Sequence, residues 1–479
     1  MGALLFFIIF LEGYVVLAAE LIAIRQMTPV AGTGTDVIAI IIAAVLMPLA
    51  FGYDAGGRYS PPPHKDYDTA VRMRLARNFL TASAFFCIGL SEPAIKTFFS
   101  FMQTAIPNIS TLIYVVIYSA LFLVIPVYLL AQTIPLVLKL IKNQDTSRIT
   151  GRVLLFSTLG SFMGSVFTTV VLMMTIGVYN TVIVVLGAMT VLTWIILPNK
   201  KRVLNFAAMI PLLVCVLLNS PIIKQRNNIV SDNTYNTIRI FEHPDDSSTT
   251  VMALDDAYSA ALREGYPVFP YAVFIEDTFI APIENNTNIE PKDILVIGSG
   301  GFTMGLYDTH NTYSYVDIDP ALKWVSEELF IKKELEDNKT FYPLPARRFI
   351  SELKNTQKFD LIIVDVFRGK TLPEPLTTQE FFTSLKNIMK PNARLAMNLM
   401  ICPNMSDQFS LNIDATVRSV FPNINYFLIG ASAFNYDGWK TYERENGFNC
   451  AVNGLYTYFN TPEKPAIYTD NKNTAALDY

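Results

Sequence analysis

A glycine-rich turn between two apolar segments carries the clearest chemical signal in the chain. Gly298, Gly300 and Gly301 follow the apolar run 294–297, and a second apolar segment about twenty residues later ends at Asp317. Such glycines let backbone N–H groups approach a ligand at a helix start, and an acid at this distance can accept hydrogen bonds from ribose hydroxyls. The spacing predicts a nucleotide-type site; the alternative is a turn that needs glycine only for positive φ.

Asp365 is the second candidate for chemistry, because it ends the continuous apolar run 359–366. A carboxylate buried there is costly unless it makes hydrogen bonds or takes part in a reaction. It could orient an attacking amine and accept its proton. The alternative is that it only caps the following loop. That loop contains Gly369, Pro373 and Pro375, a composition that suits a gate over a ligand.

Both candidates belong to a segment in which strands and helices alternate. The pattern predicts a doubly wound α/β sheet, in which ligands sit beyond the carboxyl ends of the strands. The glycine turn, Asp317 and Asp365 would then meet at one edge. The predicted strands are 293–298, 313–318, 341–344, 359–366, 393–400 and 424–430, and the predicted helices are 303–309, 320–335, 347–354, 377–389 and 406–420. A small β element with strands 236–243, 250–256 and 271–280 is predicted ahead of this sheet.

The N-terminal half has the composition of a membrane domain. Seven apolar runs occur there, and most reach the roughly 17–25 residues that cross a bilayer. They are 3–24, 36–53, 79–95, 111–138, 153–176, 179–198 and 203–219. The sequence therefore predicts an α-helical transmembrane bundle of about seven helices in residues 1–222. The small β element is placed at 228–288 and the α/β domain at 289–479.

The charges of the loops predict an orientation for this bundle. Twelve cations lie in the loops 54–78, 139–152 and 199–202, against Arg25 and Lys96 in the alternate loops. The positive-inside rule places the N-terminus and the three basic loops in the cytoplasm. Seven spans then put the C-terminal domain outside. If 203–219 lies in the interface instead, the domain is cytoplasmic.

Several polar and small residues of the apolar runs call for partners. Glu12, Glu20 and Glu92 would be functional candidates if they faced the bundle interior. The preferred interpretation is that Glu20 pairs with Arg25 and that Glu12 and Glu92 lie near interfaces. Gly160 and Gly164 predict a small-residue packing face, and the stretch 52–58 predicts a tight cytoplasmic turn.

Cysteine, histidine and net charge narrow the function classes. Cys402 and Cys450 could form a disulfide in an oxidising compartment, or could be two free thiols. The chain has three histidines and no paired cysteine motif, so no metal site is expected. The net charge of −4 gives no reason to expect nucleic acid binding.

The run from Ile294 to Met400 resembles the catalytic domain of spermidine synthase-type aminopropyltransferases. The turn IGSGG is similar to their cofactor loop, VDIDP to their strand end, and IIVDVFRGKTLPEPLTTQEFF to their catalytic strand and gate. That family has the fold of class I S-adenosylmethionine-dependent methyltransferases. The N-terminal half resembles the membrane regions of bacterial fused synthase-like proteins, which implies a multi-pass protein of the bacterial inner (cytoplasmic) membrane.

The resemblance implies roles for individual residues. Gly298, Gly300, Gly301 and Asp317 would bind decarboxylated S-adenosylmethionine or S-adenosylmethionine, Asp365 would be the catalytic aspartate, and Tyr235, Tyr271 and Arg368 would bind the acceptor. The chain departs from the family at three places. Arg368 replaces a second acid, Pro345 stands where an aspartate contacts adenine, and Ala272-Val273 replace histidine and glutamate after Tyr271. A cationic rim at Arg368 and Lys370 would favour an anionic acceptor.

Three function classes remain open at this point. The first is a membrane-anchored transferase that moves an aminopropyl or alkyl group to an amine-containing or anionic small molecule. The second is a non-catalytic relative whose extracytoplasmic domain binds a partner or ligand. The third is a transporter with a fused sensing domain. Besides the lipid bilayer, a homo-oligomer or a membrane-protein partner stays open.

Overall fold

The computed structural model describes two compact units. It covers residues 2–456 except 33, 64–65, 108, 142–145, 198–201, 282–289, 354–356, 368–372, 403–404, 406, 423 and 429–451. The first unit contains Met1–Asn227 and Asp232–Thr234, and the second contains Asn228–Ser231 and the chain from Tyr235 onward. The unit boundary thus falls at the point where apolar runs give way to mixed strands and helices.

The first unit is all helical. Its helices are α1 (Gly2–Ala31), α2 (Thr35–Arg58), α3 (Tyr67–Gly89), α4 (Glu92–Ala105), α5 (Thr111–Ser119), α6 (Ile125–Ala131), α7 (Thr133–Leu140), α8 (Thr146–Val166), α9 (Met173–Thr175), α10 (Gly177–Ile196), α11 (Arg202–Leu218) and α12 (Pro221–Arg226). Two π-helical turns, Ala120–Val124 and Phe167–Leu172, join α5 to α6 and α8 to α9. Six helical segments are long and apolar enough to cross a membrane, or seven if the bent pair α3–α4 counts as one. The prediction of about seven spans agrees with this.

The chain bends by 71° between α3 and α4. Ser91 is extended, with φ −91° and ψ 119°, and Pro93 follows in the first turn of α4. Proline lacks an N–H and its ring clashes with a preceding helical turn, so it starts a helix but does not continue one. The predicted run 79–95 is therefore not one straight helix, which corrects the prediction.

The stretch 52–58 is also different from its prediction. It forms the last two turns of α2 and not a tight turn. A Cβ added at Gly52 would lie 2.4 Å from the Cβ of Ala131, and one added at Gly56 would lie 2.6 Å from Pro135 Cγ. These glycines serve close helix packing and do not reverse the chain.

Glycines also join α1 to α8. A Cβ added at Gly160 would lie 2.0 Å from the carbonyl oxygen of Phe10, and one at Gly164 would lie 2.3 Å from that of Tyr14. From the other side, a Cβ at Gly13 would lie 2.6 Å from Ser157 O. The backbones of the two helices thus touch where side chains are absent, and the predicted small-residue face is confirmed.

The acidic residues of the bundle differ in their partners. Glu92 accepts a hydrogen bond from the Tyr179 hydroxyl and pairs with Lys96 at 2.9 Å. Arg25, the example of a helix-end cation predicted to pair with Glu20, donates from Nε to the carbonyl oxygen of Asn233 at 2.9 Å. Glu12 is 2% exposed and lies in the interior of the bundle.

The second unit begins with an antiparallel sheet of β1 (Ile229–Asp232), β2 (Thr237–His243), β3 (Asp246–Leu254), β4 (Ala257–Arg263) and β5 (Tyr266–Pro267), in that order. The predicted strand 271–280 is helical instead, as α13 (Pro270–Ile275) and the π-helical turn Glu276–Ile280. Pro270 occupies the first turn, where proline suits a helix. The buried residues Tyr271, Ile275 and Ile280 share one face, so burial follows a helical and not an alternating period.

The main sheet is parallel. Its strands are β6 (Asp293–Ile297), β7 (Thr312–Asp317), β8 (Lys339–Pro343), β9 (Phe359–Val364) and β10 (Met389–Met397), in the order β10-β9-β6-β7-β8. The helices α14 (Ala321–Val325), α15 (Ala346–Glu352), α16 (Gln379–Asn387) and α17 (Gln408–Val420) accompany it. Leu295 and Ile297 pack into one core and Ile294 and Val296 into another, so both faces are covered. The predicted doubly wound α/β fold is confirmed, with its switch point between β6 and β9.

Two predicted helices differ from the structure. Residues 303–309 form turns, since Phe302 and Gly305 both have positive φ, at 57° and 66°, which no α-helix contains. The helix predicted at 320–335 ends at Phe330, in a π-helical turn. The glycine turn is therefore not followed by a helix start, and no helix dipole acts there.

A third, antiparallel sheet completes the described part of this unit. It contains β11 (Leu399–Ile401), β12 (Tyr426–Leu428) and β13 (Val452–Tyr456), in the order β11-β13-β12. The predicted strand 393–400 is thus divided between β10 and β11, and Asn398 stands between them.

Candidate functional site

The carboxyl ends of β6 and β9 meet at the switch point of the main sheet. Gly298 follows β6 with φ +88°, and a Cβ added to it would lie 2.0 Å from the carbonyl oxygen of Asp365. Asp365 N donates to Ile297 O at 2.8 Å, which continues the strand ladder to this point. Any side chain at position 298 would combine an unfavourable φ with a backbone clash. The glycine brings the turn against the backbone of the candidate catalytic residue.

The glycine turn is held by the end of β7. Gly298 N donates to Val316 O at 2.8 Å, and Ser299 N donates to Asp317 Oδ2 at 3.1 Å. Asp319 N donates to the other oxygen, Asp317 Oδ1, at 3.1 Å. Each carboxylate oxygen of Asp317 keeps further acceptor capacity for a ligand hydroxyl.

Asp317 is an unusual carboxylate electrostatically. Burial raises its pKa to about 6, against the lowering effect of the hydrogen bond from Asp319 N. The nearby charge of Asp319 adds to the increase. An acid with this pKa is mostly ionised at neutral pH.

Asp365 is held by two neutral donors. The Tyr271 hydroxyl donates to Oδ2 at 2.9 Å, and Asn398 Nδ2 donates to Oδ1 at 2.9 Å. Burial raises its pKa to about 6, and the hydrogen bonds from Asn398 and Tyr271 limit the increase. No ion pair joins Asp365 to a basic residue in the part of the chain that the structure describes. The carboxylate is oriented without being neutralised.

Tyr271 reaches Asp365 from α13, 94 residues away in sequence. Its ring is 7% exposed and stacks on Phe269 with centroids 6.0 Å apart. Burial and the neighbouring Asp365 raise the pKa of Tyr271 well above its usual value, so the hydroxyl is a donor at all physiological pH values. The residue predicted to bind the acceptor thus contacts the predicted catalytic acid.

Asn398 is a site residue that sequence reasoning missed. It lies between β10 and β11, is 1% exposed, and its Oδ1 has no hydrogen-bond partner among the described residues. The same holds for Ser299 Oγ in the glycine turn. Buried polar atoms without partners are rare and mark places where a ligand or water belongs. The available signal was a polar residue at the end of an apolar strand, the pattern that had revealed Asp365.

The remaining predicted site residues lie apart or outside the description. Tyr235 is half-buried and precedes Asn236, whose Nδ2 donates to Asp319 Oδ2 at 2.9 Å. The start of β2 is thereby tied to the turn that follows Asp317. Arg368 and Lys370 fall outside the described residues, so their predicted roles stay predictions.

Pro345 precedes α15 as its N-terminal cap residue, with φ −57° and ψ 136°. It offers a carbonyl oxygen, which accepts from Phe349 N at 3.0 Å, but no carboxylate and no N–H. Arg347 Nε donates to Pro375 O at 2.6 Å and so ties α15 to the segment after β9. In the described ranges, no group of three or more His, Cys, Asp and Glu side chains could hold a metal ion.

Parts of the chain are similar to known proteins. Residues 273–446 match the family described as the spermine/spermidine synthase domain. Over this range the chain is similar to the spermine/spermidine synthase domain. The matched range covers the whole main sheet together with Asp365 and Asn398. It covers only the second half of α13, because Tyr271 lies two residues before the range begins.

Two individual proteins are similar to parts of the chain. A polyamine aminopropyltransferase of Vibrio vulnificus is 28% identical over 234 residues, which are 47% of this chain and 75% of that protein. An N-terminal histidine N-methyltransferase of Emericella nidulans is 30% identical over 170 residues, 33% of this chain and 29% of that protein. The chain therefore spans under a third of the fungal protein.

Solved structures resemble parts of the chain at low sequence identity. A probable spermidine synthase from Corynebacterium glutamicum is 17% identical with a TM-score of 0.35, covering 48% of this chain and 96% of that one. Human methyltransferase-like protein 13 in complex with SAH is 18% identical with a TM-score of 0.27, covering 44% and 82%.

Proposed function

We propose that this protein is a membrane-anchored transferase that moves an aminopropyl or alkyl group to an amine-containing acceptor. The observation that carries the proposal is the carboxylate of Asp365, held by Tyr271 and Asn398 at the switch point and in backbone contact with Gly298. The family match supports a transferase of the spermidine synthase type.

The residues present fit an S-adenosyl-type ligand on its ribose side. Ser299 Oγ is buried without a partner, and both oxygens of Asp317 keep acceptor capacity. Gly298, Gly300 and Gly301 would lie along the ligand, and Asp317 would accept from its hydroxyls. On the adenine side, Pro345 supplies no carboxylate, so recognition there must use backbone and apolar contacts. When bound, such a ligand would supply an electrophilic carbon whose bond to the sulfonium sulfur breaks as the acceptor nitrogen attacks, so that the sulfur leaves as a neutral thioether.

Asp365 would act on the acceptor. With a pKa of about 6 it is ionised at neutral pH, and it can orient an amine and accept the proton that the nitrogen loses as the new C–N bond forms. Tyr271 and Asn398 each occupy one lone pair of the carboxylate, which leaves a lone pair on each oxygen for the amine. The unpartnered Asn398 Oδ1 can accept from a second N–H of the same amine.

The apolar helices support insertion of the first unit into the membrane as an anchor. The twelve-to-two cation asymmetry favours cytoplasmic loops between α2 and α3, α7 and α8, and α10 and α11. With α11–α12 as the seventh crossing, the second unit lies outside the cytoplasm. Cys402 is disulfide-bonded, and disulfides persist in oxidising compartments. Reporter fusions after Ile141 and after Tyr479 test this orientation; a C-terminal reporter active only in the cytoplasm would overturn it.

The disulfide at Cys402 favours a second candidate function, which is binding of a ligand or partner without catalysis. S-adenosyl ligands are not expected outside the cytoplasm, so an external domain of this fold could bind a ligand or partner without turnover. The discriminating experiment is calorimetry on the full chain in detergent with S-adenosylmethionine, its decarboxylated form and methylthioadenosine, followed by a turnover assay with amines. Binding with turnover supports the transferase. Binding without turnover supports the second candidate, and no binding removes the transferase.

A further inference from the structure

The first unit contains a buried carboxyl group that its own residues leave without a partner. Glu12 is the eleventh residue of α1 (Gly2–Ala31), about 15 Å along the helix axis from its start at 1.5 Å per residue. Its side chain is 2% exposed. It makes no hydrogen bond or ion pair with any residue that the structure describes.

The other acids of the bundle do not share this position. Glu92 has Lys96 and the Tyr179 hydroxyl, so its charge is balanced within the unit. Glu20 is only half-buried, nearer the far end of α1. Glu12 therefore combines full burial with the lack of a partner, which neither of the other two does.

The helices that pack against α1 bring no cation to Glu12. Their charged or titratable residues are Asp36, Tyr53, Asp54 and Arg58 of α2, Glu92 and Lys96 of α4, Tyr114 and Tyr118 of α5, Tyr128 of α6, Lys139 of α7, Arg148 and Arg152 of α8, and Tyr179 of α10. Arg58 pairs with Asp54, and Lys139 Nζ donates to the carbonyl oxygens of Gly57 and Tyr59. Arg148 and Arg152 are exposed. Tyr53 lies within electrostatic reach of Glu12.

An ionised carboxylate in this position would lack both water and a counter-ion. Burying an unpaired charge in an apolar environment is so costly that the group neutralises instead. In a membrane-inserted bundle the remaining cation is one that comes from outside the chain, and the smallest is a proton. A helix bundle that served only as an anchor would gain nothing from such an acid, because leucine or glutamine would pack at lower cost.

We propose that Glu12 is a binding site for an exchangeable monovalent cation inside the bundle, occupied by a proton when no other cation is present. Binding of a sodium, potassium or alkylammonium ion would release that proton from the carboxyl oxygen, so charge is conserved at the site. This rests on the proposed membrane insertion but not on transfer at Asp365. It gives the first unit an ion-binding activity of its own.

The test uses the hydrophobic reagent dicyclohexylcarbodiimide, which reacts with protonated carboxyl groups in apolar surroundings. The full chain in detergent is treated at several pH values and the modified residue is located by peptide mass spectrometry. We expect modification at Glu12, with a rate that falls about tenfold per pH unit once the acid ionises. Glu12→Gln removes this modification, whereas the matched variants Glu20→Gln and Glu92→Gln retain it.

Added cations then identify the ligand. Slower modification in sodium, potassium or butylamine assigns the site to that cation, and equal rates in all of them assign it to the proton alone. The proposal is overturned if Glu12 stays unmodified at every pH in the folded protein, although it reacts with the reagent in a control sample unfolded by detergent. Thermal unfolding of Glu12→Gln provides a second readout. The isosteric amide should leave the midpoint unchanged, whereas a large decrease would indicate a structural partner and contradict the site.

Discussion

The carboxylates at the two ends of the main parallel sheet differ in their partners, which are cationic at one end and neutral at the other. At the amino end, Lys390 Nζ lies 2.7 Å from both Asp293 Oδ2 and Asp360 Oδ2, and Asp293 N donates to Asp360 at 2.9 Å. At the carboxyl end, Asp317 and Asp365 are held only by backbone N–H groups and neutral side chains among the described residues.

The pKa values follow this difference. Burial alone would raise the pKa of Asp360, but the hydrogen bonds from Lys390 and Asp293 N and the charges of Lys390 and Lys292 outweigh it and lower the pKa. Burial without a cation raises the pKa of Asp317 and of Asp365 to about 6. One end is a scaffold whose charges are neutralised internally. The other keeps charge and acceptor capacity for a ligand, which marks it as a site.

The largest effect is expected from a substitution of Asp365 at the carboxyl end of the main sheet. Asp365→Asn keeps the size of the side chain but cannot accept a proton, so the turnover rate should fall by about 10²–10⁴-fold, the range of general-base catalysis. Ligand binding should stay nearly intact by calorimetry. Asp360→Asn at the amino end is the matched control and should retain the rate. A fully active Asp365→Asn protein would show that the carboxylate has no catalytic role.

The next largest effect concerns the contact between Gly298 and Asp365. Gly298→Ala places a Cβ against a backbone oxygen at φ +88° and should lower the free energy of unfolding by about 2 kcal/mol or more, with loss of ligand binding. Gly187→Ala, where an added Cβ meets nothing within 4 Å, is the control. Equal stability of the two variants in thermal unfolding would contradict the close approach.

The hydrogen bonds of Asp365 can be tested through the pH profile. The rate should fall as the pH drops below about 6, because Asp365 must be ionised to accept a proton. Tyr271→Phe removes a hydrogen bond that lowers this pKa, so the acidic limb should move to higher pH with a rate loss of about tenfold at neutral pH. An unchanged limb would mean that Tyr271 does not act on Asp365.

The two ends should also give opposite slopes of stability against pH. Asp365 has a higher pKa folded than its ordinary value of 3.8, so the folded state binds its proton more tightly and stability falls as the pH rises from about 4 to 6. Asp360 has a folded pKa below its ordinary value of 3.8, so its contribution is present above about pH 4 and is lost as the pH falls from there through the lower folded pKa. Unfolding of Asp365→Asn and Asp360→Asn across pH should remove one slope each. If both variants keep the parent profile, the electrostatic contrast is absent.

The smallest effect is expected at the scaffold end. Lys390→Met removes a partly exposed ion pair and should lower stability by about 1 kcal/mol or less, an effect weakened by salt. The rate should not change. A rate loss measured in the same assay as Asp365→Asn would show that the amino end is not a passive scaffold.

The strands β6 and β9 could be predicted because their apolar runs are nearly continuous and they are covered on both faces. Asp317 and Asp365 could be found because each is an acid at a strand end. The helix at 303–309 could not be excluded, since the positive φ of Phe302 and Gly305 is a response to packing and not to local sequence. The strand at 271–280 was wrong because aromatic residues favour strands, while Pro270 and the spacing of buried residues favour a helix.

Long-range partners explain most of what was missed at the site. Tyr271 and Asp365 are 94 positions apart, and Asn398 and Asp365 are 33 apart. No local pattern encodes such pairs, because they depend on strand order and on where α13 docks. Asn398 becomes informative only when β10 is known to lie beside β9. The resemblance had already singled out Tyr271, but only the fold assigns it to Asp365.

The close backbone contacts at Gly13, Gly160 and Gly164 between α1 and α8 have a consequence for the synthesis of the protein. Gly13 lies against the carbonyl oxygen of Ser157 in the finished bundle, 144 positions later in the chain, so a ribosome working at about 5–20 residues per second needs roughly 7–30 s between them. With the first unit inserted in the membrane as proposed, α1 would enter it before α8 exists. The glycine face of α1 and the Glu12 carboxyl would then be covered by lipid, by the helices α2 to α7 or by the insertion machinery.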